Sequence, residues 1–138
     1  DTSFMIRSIV SSALSNAIKP GVRSEIQTGA GNALAMIGTP EAAQALLDAV
    51  KGQTDEDYRE RILTACRRIT NKDSVQLLDK ALDDMGDPLI RAAAANALAN
   101  FDNEPILAHL QTAYDRETDP RARQAIADAI QRIASRSF

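Results

Sequence analysis

The chain repeats one pattern every 32 residues, and no other feature constrains its fold as strongly. In each copy an alanine, a larger residue and a further apolar residue hold fixed positions, as Ala97, Leu98 and Phe101 do. The copies align without insertion or deletion at residues 23–36, 55–68, 87–100 and 119–132. One unit of this length cannot bury its own apolar stripe, so neighbouring units must share a core. The period therefore predicts a single domain built as a stacked array.

The period also divides the chain into units, with an incomplete unit at each end. The predicted units are 1–22, 23–54, 55–86, 87–118 and 119–138. Counting back one period from Ala45 and Leu46 gives Ala13 and Leu14, so the first segment matches the second half of a unit. We expect both ends to expose apolar surface and the chain to be a piece of a longer protein.

Each unit carries the signals of two helices joined by a turn. The first helix follows an aspartate and a proline, as at Asp87-Pro88, because aspartate can accept a hydrogen bond from a first-turn amide and proline needs no partner there. A second column of capping residues precedes the other helix: Thr39, Asn71 and Asn103. The spacing predicts an all-α fold, a right-handed superhelix of about four stacked hairpins.

Charge and composition exclude several classes of partner. Sixteen basic and nineteen acidic residues give a net charge of −3, which provides no general attraction to nucleic acid or anionic membranes. The most apolar stretch, residues 89–99, is short and interrupted by Arg91 and Asn96, so it does not resemble a membrane span. We therefore expect a water-soluble protein with neither a nucleic-acid nor a membrane partner.

One basic run could nevertheless bind nucleic acid. It contains Arg59, Arg61, Arg67, Arg68 and Lys72. Acidic residues share the same helix, no aromatic residue stands among the arginines to stack a base, and the next unit lacks the run. A solvated, partly paired face is the favoured interpretation.

Residues 87–98 resemble the first helix of HEAT-like repeats of the phycobilisome-lyase type: an aspartate with proline, an arginine, small residues and a leucine. Residues 119–123 repeat the start of this pattern, whereas Arg23 and Gln27 depart from it. In this family the hairpins stack into a superhelix whose second helices line a concave binding face. The resemblance therefore implies an interaction scaffold.

The candidate binding residues occupy second-helix columns that the core does not use. They are Gln44, Asp48, Lys51, Gln76, Lys80, Asp83, Thr112, Asp115 and Arg116. Their charge alternates and changes from unit to unit, which suits the surface of an individual protein partner. The competing interpretation is a solvated face without a partner, since any array needs polar outer columns. We predict a protein partner, which the sequence does not identify.

Another polar pattern places an aspartate four residues before an arginine in three units: Asp55 with Arg59, Asp87 with Arg91, and Asp119 with Arg123. This spacing predicts ion pairs along each helix, worth about 0.3–0.5 kcal/mol each. An anion-binding row of arginines is the alternative. Because every arginine has its own carboxylate, we predict that the pairs are structural.

Two single residues could carry chemistry. Cys66 falls in an apolar column and is predicted to be a core residue rather than a nucleophile. His109 lacks a partner nearby in sequence and is predicted to be an ordinary, partly exposed residue rather than a metal ligand. Di-iron hydroxylases built from HEAT-like repeats use recurring His-Glu pairs, whereas Leu110 follows His109 here.

The sequence thus predicts a non-catalytic protein-binding scaffold with no catalytic residue, metal or cofactor. The alternative is an accessory helical domain of a larger enzyme or assembly, lyase-like or nucleic-acid-processing, that binds through its open ends. These ends could also drive self-association through Phe4, Ile9, Ala125, Ile126 and Ile130.

Overall fold

The computed structural model describes residues 2–137, so the unit limits predicted at Asp1 and Phe138 lie outside the described residues. Within that range the chain forms α-helices and no strand. The helices are α1 (Thr2–Ala17), α2 (Ser24–Ile37), α3 (Pro40–Val50), α4 (Glu56–Cys66), α5 (Val75–Ala81), α6 (Pro88–Leu98), α7 (Glu104–Arg116) and α8 (Pro120–Ser137), with a 3₁₀ turn, Lys72–Ser74, before α5. None of these helices combines the length and hydropathy needed to cross a lipid bilayer.

The helix starts reproduce the period of the sequence. First helices begin at Ser24, Glu56, Pro88 and Pro120, and second helices begin at Pro40, at the 3₁₀ turn and at Glu104. The complete hairpins, in chain order, are α2–α3, α4–α5 and α6–α7. The terminal helix α1 packs on α2 and α3, and α8 packs on α6 and α7. The predicted all-α array of hairpins is confirmed.

Capping residues set these starts as predicted. Asp55, Asp87 and Asp119 accept hydrogen bonds from first-turn amides at 3.0, 2.8 and 2.9 Å. Thr39, Asn71 and Asn103 cap the second helices and the 3₁₀ turn in the same way, at 3.3, 2.9 and 3.3 Å. Each cap satisfies an amide that has no partner within its helix.

The residues that the period places at one repeated core position are buried, as predicted. Leu34, Cys66 and Leu98 have no exposed surface. Burial raises the pKa of the Cys66 thiol to about 12, so the side chain stays protonated and packs as a small apolar group. On α6 the consecutive alanines Ala92 to Ala95 are all buried, because α3, α4, α5 and α8 pack around this helix.

Asparagine side chains tie each unit to the one before it. The Asn71 side-chain amide donates to the Ile37 carbonyl at 3.3 Å. Asn100 donates to the carbonyls of Arg67 and Ile69 at 2.7 and 2.6 Å. These carbonyls lie at or just beyond helix ends, where no intrahelical partner exists. Each amide therefore completes a helix end of the preceding unit and couples neighbouring units.

A close contact between units requires glycine at position 38. Gly38 ends α2 with φ of +59°, in the left-handed region, and its amide donates to Leu34. A Cβ at this position would lie 2.8 Å from the Cβ of Asn71. The turn between α2 and α3 therefore accepts no larger residue without movement of the next unit.

The two ends of the array differ in exposed apolar surface. On α1 the side chains of Phe4 and Ile9 are 61% and 66% exposed, as predicted for an open end. On α8, Ile126 is fully buried and Ile130 is partly buried. The expectation that Ile126 is exposed and available for self-association is therefore wrong. The core of α6 and α7 covers that residue, because α8 lies across both helices.

Candidate functional site

All nine residues predicted to bind a partner are exposed. They lie on α3, α5 and α7 or in the turns after α3 and α5: Gln44, Asp48, Lys51, Gln76, Lys80, Asp83, Thr112, Asp115 and Arg116. We name the exposed surface of α1, α3, α5 and α7 the second-helix face, and that of α2, α4, α6 and α8 the first-helix face. The predicted residues therefore share one face.

A groove of about 520 Å³ lies between α3 and α5. Leu47, Leu77 and Ile90 supply its apolar lining. Its polar lining includes three of the predicted residues and two carboxylates: Gln44, Gln76, Lys80, Asp73 and Asp84. This combination provides apolar contact area together with groups that can orient a ligand.

A second groove, of about 500 Å³, lies between α1 and α3. Its floor includes Ile18 and the ring of Tyr58, whose hydroxyl donates to the Ile18 carbonyl. Gln44 and Asp48 line it, and the Gln44 side-chain amide donates to Asp48 at 2.9 Å. Because Gln44 lines both grooves, they adjoin along the second-helix face.

The remaining predicted residues lie elsewhere on this face. Asp83 and Arg116 pair with each other and line a smaller cavity of about 320 Å³. Lys51, Thr112 and Asp115 line none of these three cavities. The structure thus places Gln44, Asp48, Gln76 and Lys80 in the two adjoining grooves, whereas the other five residues do not line them.

His109 has partners that the sequence did not reveal. Its Nδ1 lies 2.6 Å from Asp79 and its Nε2 lies 2.7 Å from Asp83, and Asp83 also pairs with Arg116. His109 is partly exposed, as predicted, but the assumption that it has no carboxylate partner is wrong. Asp79 lies on α5 and Asp83 just after it, both in the unit before that of His109, so only the contact between successive units brings the three residues together.

The cluster alters the protonation of its members. Burial acts to lower the pKa of His109, but hydrogen bonds to Asp83 and Asp79 and their charges outweigh it and raise this pKa above its ordinary value. Burial acts to raise the pKa of Asp83, but His109 and Arg116 lower it overall. The carboxylates face opposite ring nitrogens, and no group of residues in the described chain has a metal-binding arrangement.

The predicted ion pairs within helices are not what the structure contains. Among residues 2–137, none of the three aspartates pairs with the arginine four positions later. Each aspartate instead caps its helix: Asp55, Asp87 and Asp119. A capping carboxylate points back at the first-turn amides, so it is not free to meet a side chain one turn along the helix. This prediction is corrected.

The arginines of these columns find other partners. Arg59 donates to the Thr54 carbonyl at 2.9 Å, and the guanidinium of Arg123 lies 4.3 Å from the centre of the Tyr114 ring. Arg91 forms two hydrogen bonds with Glu117, at 2.6 and 2.9 Å. The side chain of Glu117 is only 4% exposed, so Arg91 neutralises a buried carboxylate between α6 and the turn before α8.

Asp87 also holds two units together. One carboxylate oxygen caps α6, and the other accepts a hydrogen bond at 2.7 Å from the Gly52 amide, which belongs to unit 23–54, two units earlier. The side chain is almost fully buried. The aspartate column therefore is structural, as predicted, but through backbone amides rather than arginines.

Stacked helical hairpins with asparagine and aspartate contacts between units define an α-solenoid repeat protein. The chain belongs to the HEAT repeat family: the model described as HEAT repeats matches residues 51–131. The model described as PBS lyase HEAT-like repeat matches residues 26–52. The resemblance seen in the sequence is confirmed.

Comparison with solved structures agrees with this fold. The chain is similar to human deoxyhypusine hydroxylase in complex with glycerol, with a TM-score of 0.59 and 23% sequence identity. The match covers 91% of this chain and 43% of that structure, so this chain spans less than half of the enzyme's length. At this identity the likeness establishes the fold alone. No curated protein matches the sequence.

Proposed function

We propose that this chain is a non-catalytic scaffold that binds a protein partner through its second-helix face. The observation that carries the proposal is the adjoining pair of grooves between α1, α3 and α5, which share Gln44 and have polar rims over apolar floors. Family membership supports a helical repeat module, and the buried core beneath the grooves supports a surface that keeps its shape when a partner binds.

The charges around the grooves favour a basic partner segment. The acidic residues outnumber the basic ones along the two linings: Glu41, Asp48, Asp73 and Asp84 against Lys19 and Lys80. α3 itself carries Glu41 and Asp48 and no basic residue. A segment that presents lysine or arginine beside aliphatic side chains would match both the rim and the floor.

Peptide selection tests this proposal without knowledge of the natural partner. Random 12-residue peptides displayed on phage are selected on the chain, and the affinity of each selected peptide is measured by fluorescence anisotropy. Asp48→Lys should weaken binding of these peptides about tenfold, because it reverses a charge at the groove rim. Glu25→Lys is the matched control, since Glu25 is exposed on α2, in the other face.

We expect selected peptides to be rich in basic and aliphatic residues. Circular dichroism should report unchanged folding for Asp48→Lys and for the companion reversal Lys80→Glu, since both residues are exposed. Peptides that bind both variants as tightly as the unmodified chain would reject the second-helix face as the binding surface. A large loss of stability would mean that these side chains belong to the core.

A second candidate function is that of an accessory domain that binds through an open end. The observation favouring it is the exposed apolar side of α1: Phe4, Met5, Ile6, Ile9 and Val10. Light scattering on a size-exclusion column across a concentration series tests it. A mass that rises with concentration, and that returns to the monomer value in Ile9→Ser, would support this candidate; a constant monomer mass would reject self-association.

A further inference from the structure

The first-helix face contains a groove of its own. It has a volume of about 490 Å³ and lies over α6, between α4 and α8. Its floor is formed by Leu89, Ala92 and Asn96, and Leu63 and Ala125 add apolar surface from the two sides. Leu89, Ala92 and Asn96 are spaced to share one face of α6, so the groove follows this helix.

One end of this groove leads to a cluster of arginines that the linear sequence separates. Arg67 ends α4 and lines the groove, and Arg132 lies one turn beyond Asp128, which also lines it. The Arg132 guanidinium donates to the Asn100 side-chain oxygen at 3.1 Å, while the Asn100 amide holds the Arg67 carbonyl. Arg136 follows Arg132 by one turn on α8 and donates to the Ala99 carbonyl.

The positive charges of this cluster are incompletely neutralised. Burial lowers the pKa of Arg132, and the charges of Arg67 and Arg136 lower it further, against the smaller opposing effect of Asp128. Asp102 pairs with Arg136. Arg67 is exposed, and in the part of the chain that the structure describes it forms no ion pair.

Helix-end electrostatics explain only part of the arrangement. A cation near a helix C-terminus is stabilised by the helix dipole, which accounts for Arg67 at the end of α4 and Arg136 in the last turn of α8. Arg132 stands in the body of α8, held by Asn100 between two other arginines. Like charges so placed favour an anion that can contact more than one of them.

We propose that the first-helix groove binds an acidic protein segment, with Arg67 and Arg132 holding its carboxylates and the floor over α6 taking its small apolar side chains. Charge complementarity at the arginine end and the apolar floor together define this occupant. Glu56 and Glu60 line the groove near the start of α4, whereas Arg67 lies at the end of that helix. A continuous phosphate backbone would meet these carboxylates, whereas a segment whose carboxylates lie only at the arginine end would avoid them. No aromatic side chain lines the groove to stack a base, so a peptide fits better than a nucleic acid.

A defined peptide pair tests the proposal. The probe is a fluorescein-labelled 12-residue peptide whose one half alternates glutamate with alanine and whose other half alternates serine with alanine, and its counterpart carries glutamine in place of glutamate. Anisotropy titration should detect binding of the glutamate peptide alone, with an affinity that falls as salt rises. Arg132→Gln and Arg67→Gln should each weaken it about tenfold.

Arg61→Gln is the matched control, because Arg61 lies on α4 and contacts Gln27 away from this groove. The affinity of this variant for the glutamate peptide should stay within about twofold of the affinity of the unmodified chain. Thermal unfolding checks every variant, and Arg67→Gln keeps the test valid if Arg132→Gln is destabilised, since the Arg67 side chain forms no ion pair within residues 2–137.

Equal binding of the glutamine peptide, or equal affinity in Arg67→Gln and the unmodified chain, would overturn the proposal. A labelled 12-residue thymidine oligonucleotide serves as a third probe. Tighter binding of this probe with the same dependence on Arg67 and Arg132 would assign the surface to nucleic acid and contradict a peptide site. Neither outcome bears on the second-helix face, so this inference and the proposed function can fail separately.

Discussion

The two faces of the array are built from one repeated unit, yet they carry opposite charge. On the first-helix side, α8 alone has four arginines and one aspartate. On the second-helix side, α3 has two acidic residues and no basic one. The net charge of −3 conceals this separation. The comparison teaches that an argument from net charge applies to the whole chain and not to either surface.

The faces also differ in how their polar residues are used. Asn96 on α6 and Asn100 just after α6 donate to carbonyls of the preceding unit, so polar side chains on this side couple the units. On the second-helix side, Gln76 and Lys80 line a groove. The first-helix face thus combines a structural role with the proposed acidic ligand, whereas the groove residues of the second-helix face are left for the proposed partner.

The largest loss of stability is expected at Arg91, which stabilises the fold and lies outside the grooves of both faces. Arg91→Ala removes the ion-pair partner of the buried Glu117 carboxylate, which keeps only the Thr118 and Asp119 amides, and should lower the free energy of unfolding by about 3 kcal/mol. Denaturant unfolding measures this change. The affinities of both peptide classes should stay the same where the variant is folded. Arg121→Ala, at an exposed pair with a 3.4 Å separation, is the control and should cost under about 0.5 kcal/mol.

The next largest loss of stability is expected at Asn100, because this side chain contacts both the preceding unit and Arg132. Asn100→Ala leaves the Arg67 and Ile69 carbonyls without this donor and should cost about 1–2 kcal/mol in urea unfolding. The substitution also removes the hydrogen-bond partner of Arg132 and should weaken binding of the glutamate peptide. Asn16→Ala, at an exposed position on α1, should change neither quantity. Unchanged peptide affinity in Asn100→Ala would show that Arg132 needs no positioning.

The His109 cluster should make the second-helix side sensitive to pH. A raised pKa in the folded protein means that protonation stabilises the fold below the ordinary histidine pKa and that this stabilisation is lost as pH rises through the folded value. The melting temperature should therefore fall by about 2 °C between pH 6 and pH 8, a small change because solvent screens the half-exposed carboxylates.

His109→Gln isolates this contribution, since glutamine cannot gain the proton. The drop in melting temperature attributable to the cluster should disappear in the variant, as measured by calorimetry at both pH values. If the melting temperature of His109→Gln fell by the same amount between the two pH values, groups other than His109 would cause the pH dependence. The lowered pKa of Asp83 acts at the acidic end, where its stabilisation is lost as pH falls.

The smallest effect on stability should be on the open side of α1. Ile9 is 66% exposed, so Ile9→Ser should change the free energy of unfolding by no more than about 0.5 kcal/mol. Ile18, just after α1, is 1% exposed, and Ile18→Ser should cost about 3 kcal/mol because it buries a hydroxyl and leaves a cavity. Similar losses for both variants would mean that Ile9 is covered in the folded chain.

The fold was predictable from the sequence because its signals are local and repeated. Asp87 and Asp119 mark helix starts through their own first-turn amides, and the apolar column that includes Leu34 and Leu98 needs only helical spacing. The ion pairs were predicted incorrectly because spacing along one helix does not reveal which atoms a carboxylate already serves. Arg91 pairs with Glu117, which stands in a turn outside the helical columns.

The candidate surfaces depend on contacts between units, which one copy of the pattern does not contain. Asp79 and Asp83 are spaced to share a helix face, and His109 falls two residues short of one full period after Asp79. That offset is a signal that could have indicated their contact. The arginine cluster joins α4 and α8 across Asn100, and a search for consecutive basic residues ends before reaching Arg132.

Carboxyl footprinting tests most directly whether the second-helix face binds the partner. The chain is treated with a carbodiimide and glycine ethyl ester, with and without a selected peptide, and labelling is read by mass spectrometry. The account predicts protection of Glu41 and Asp48 and unchanged labelling of Glu25 and Glu56, all four being exposed in the free chain. Protection of Glu56 with unchanged labelling of Asp48 would contradict it.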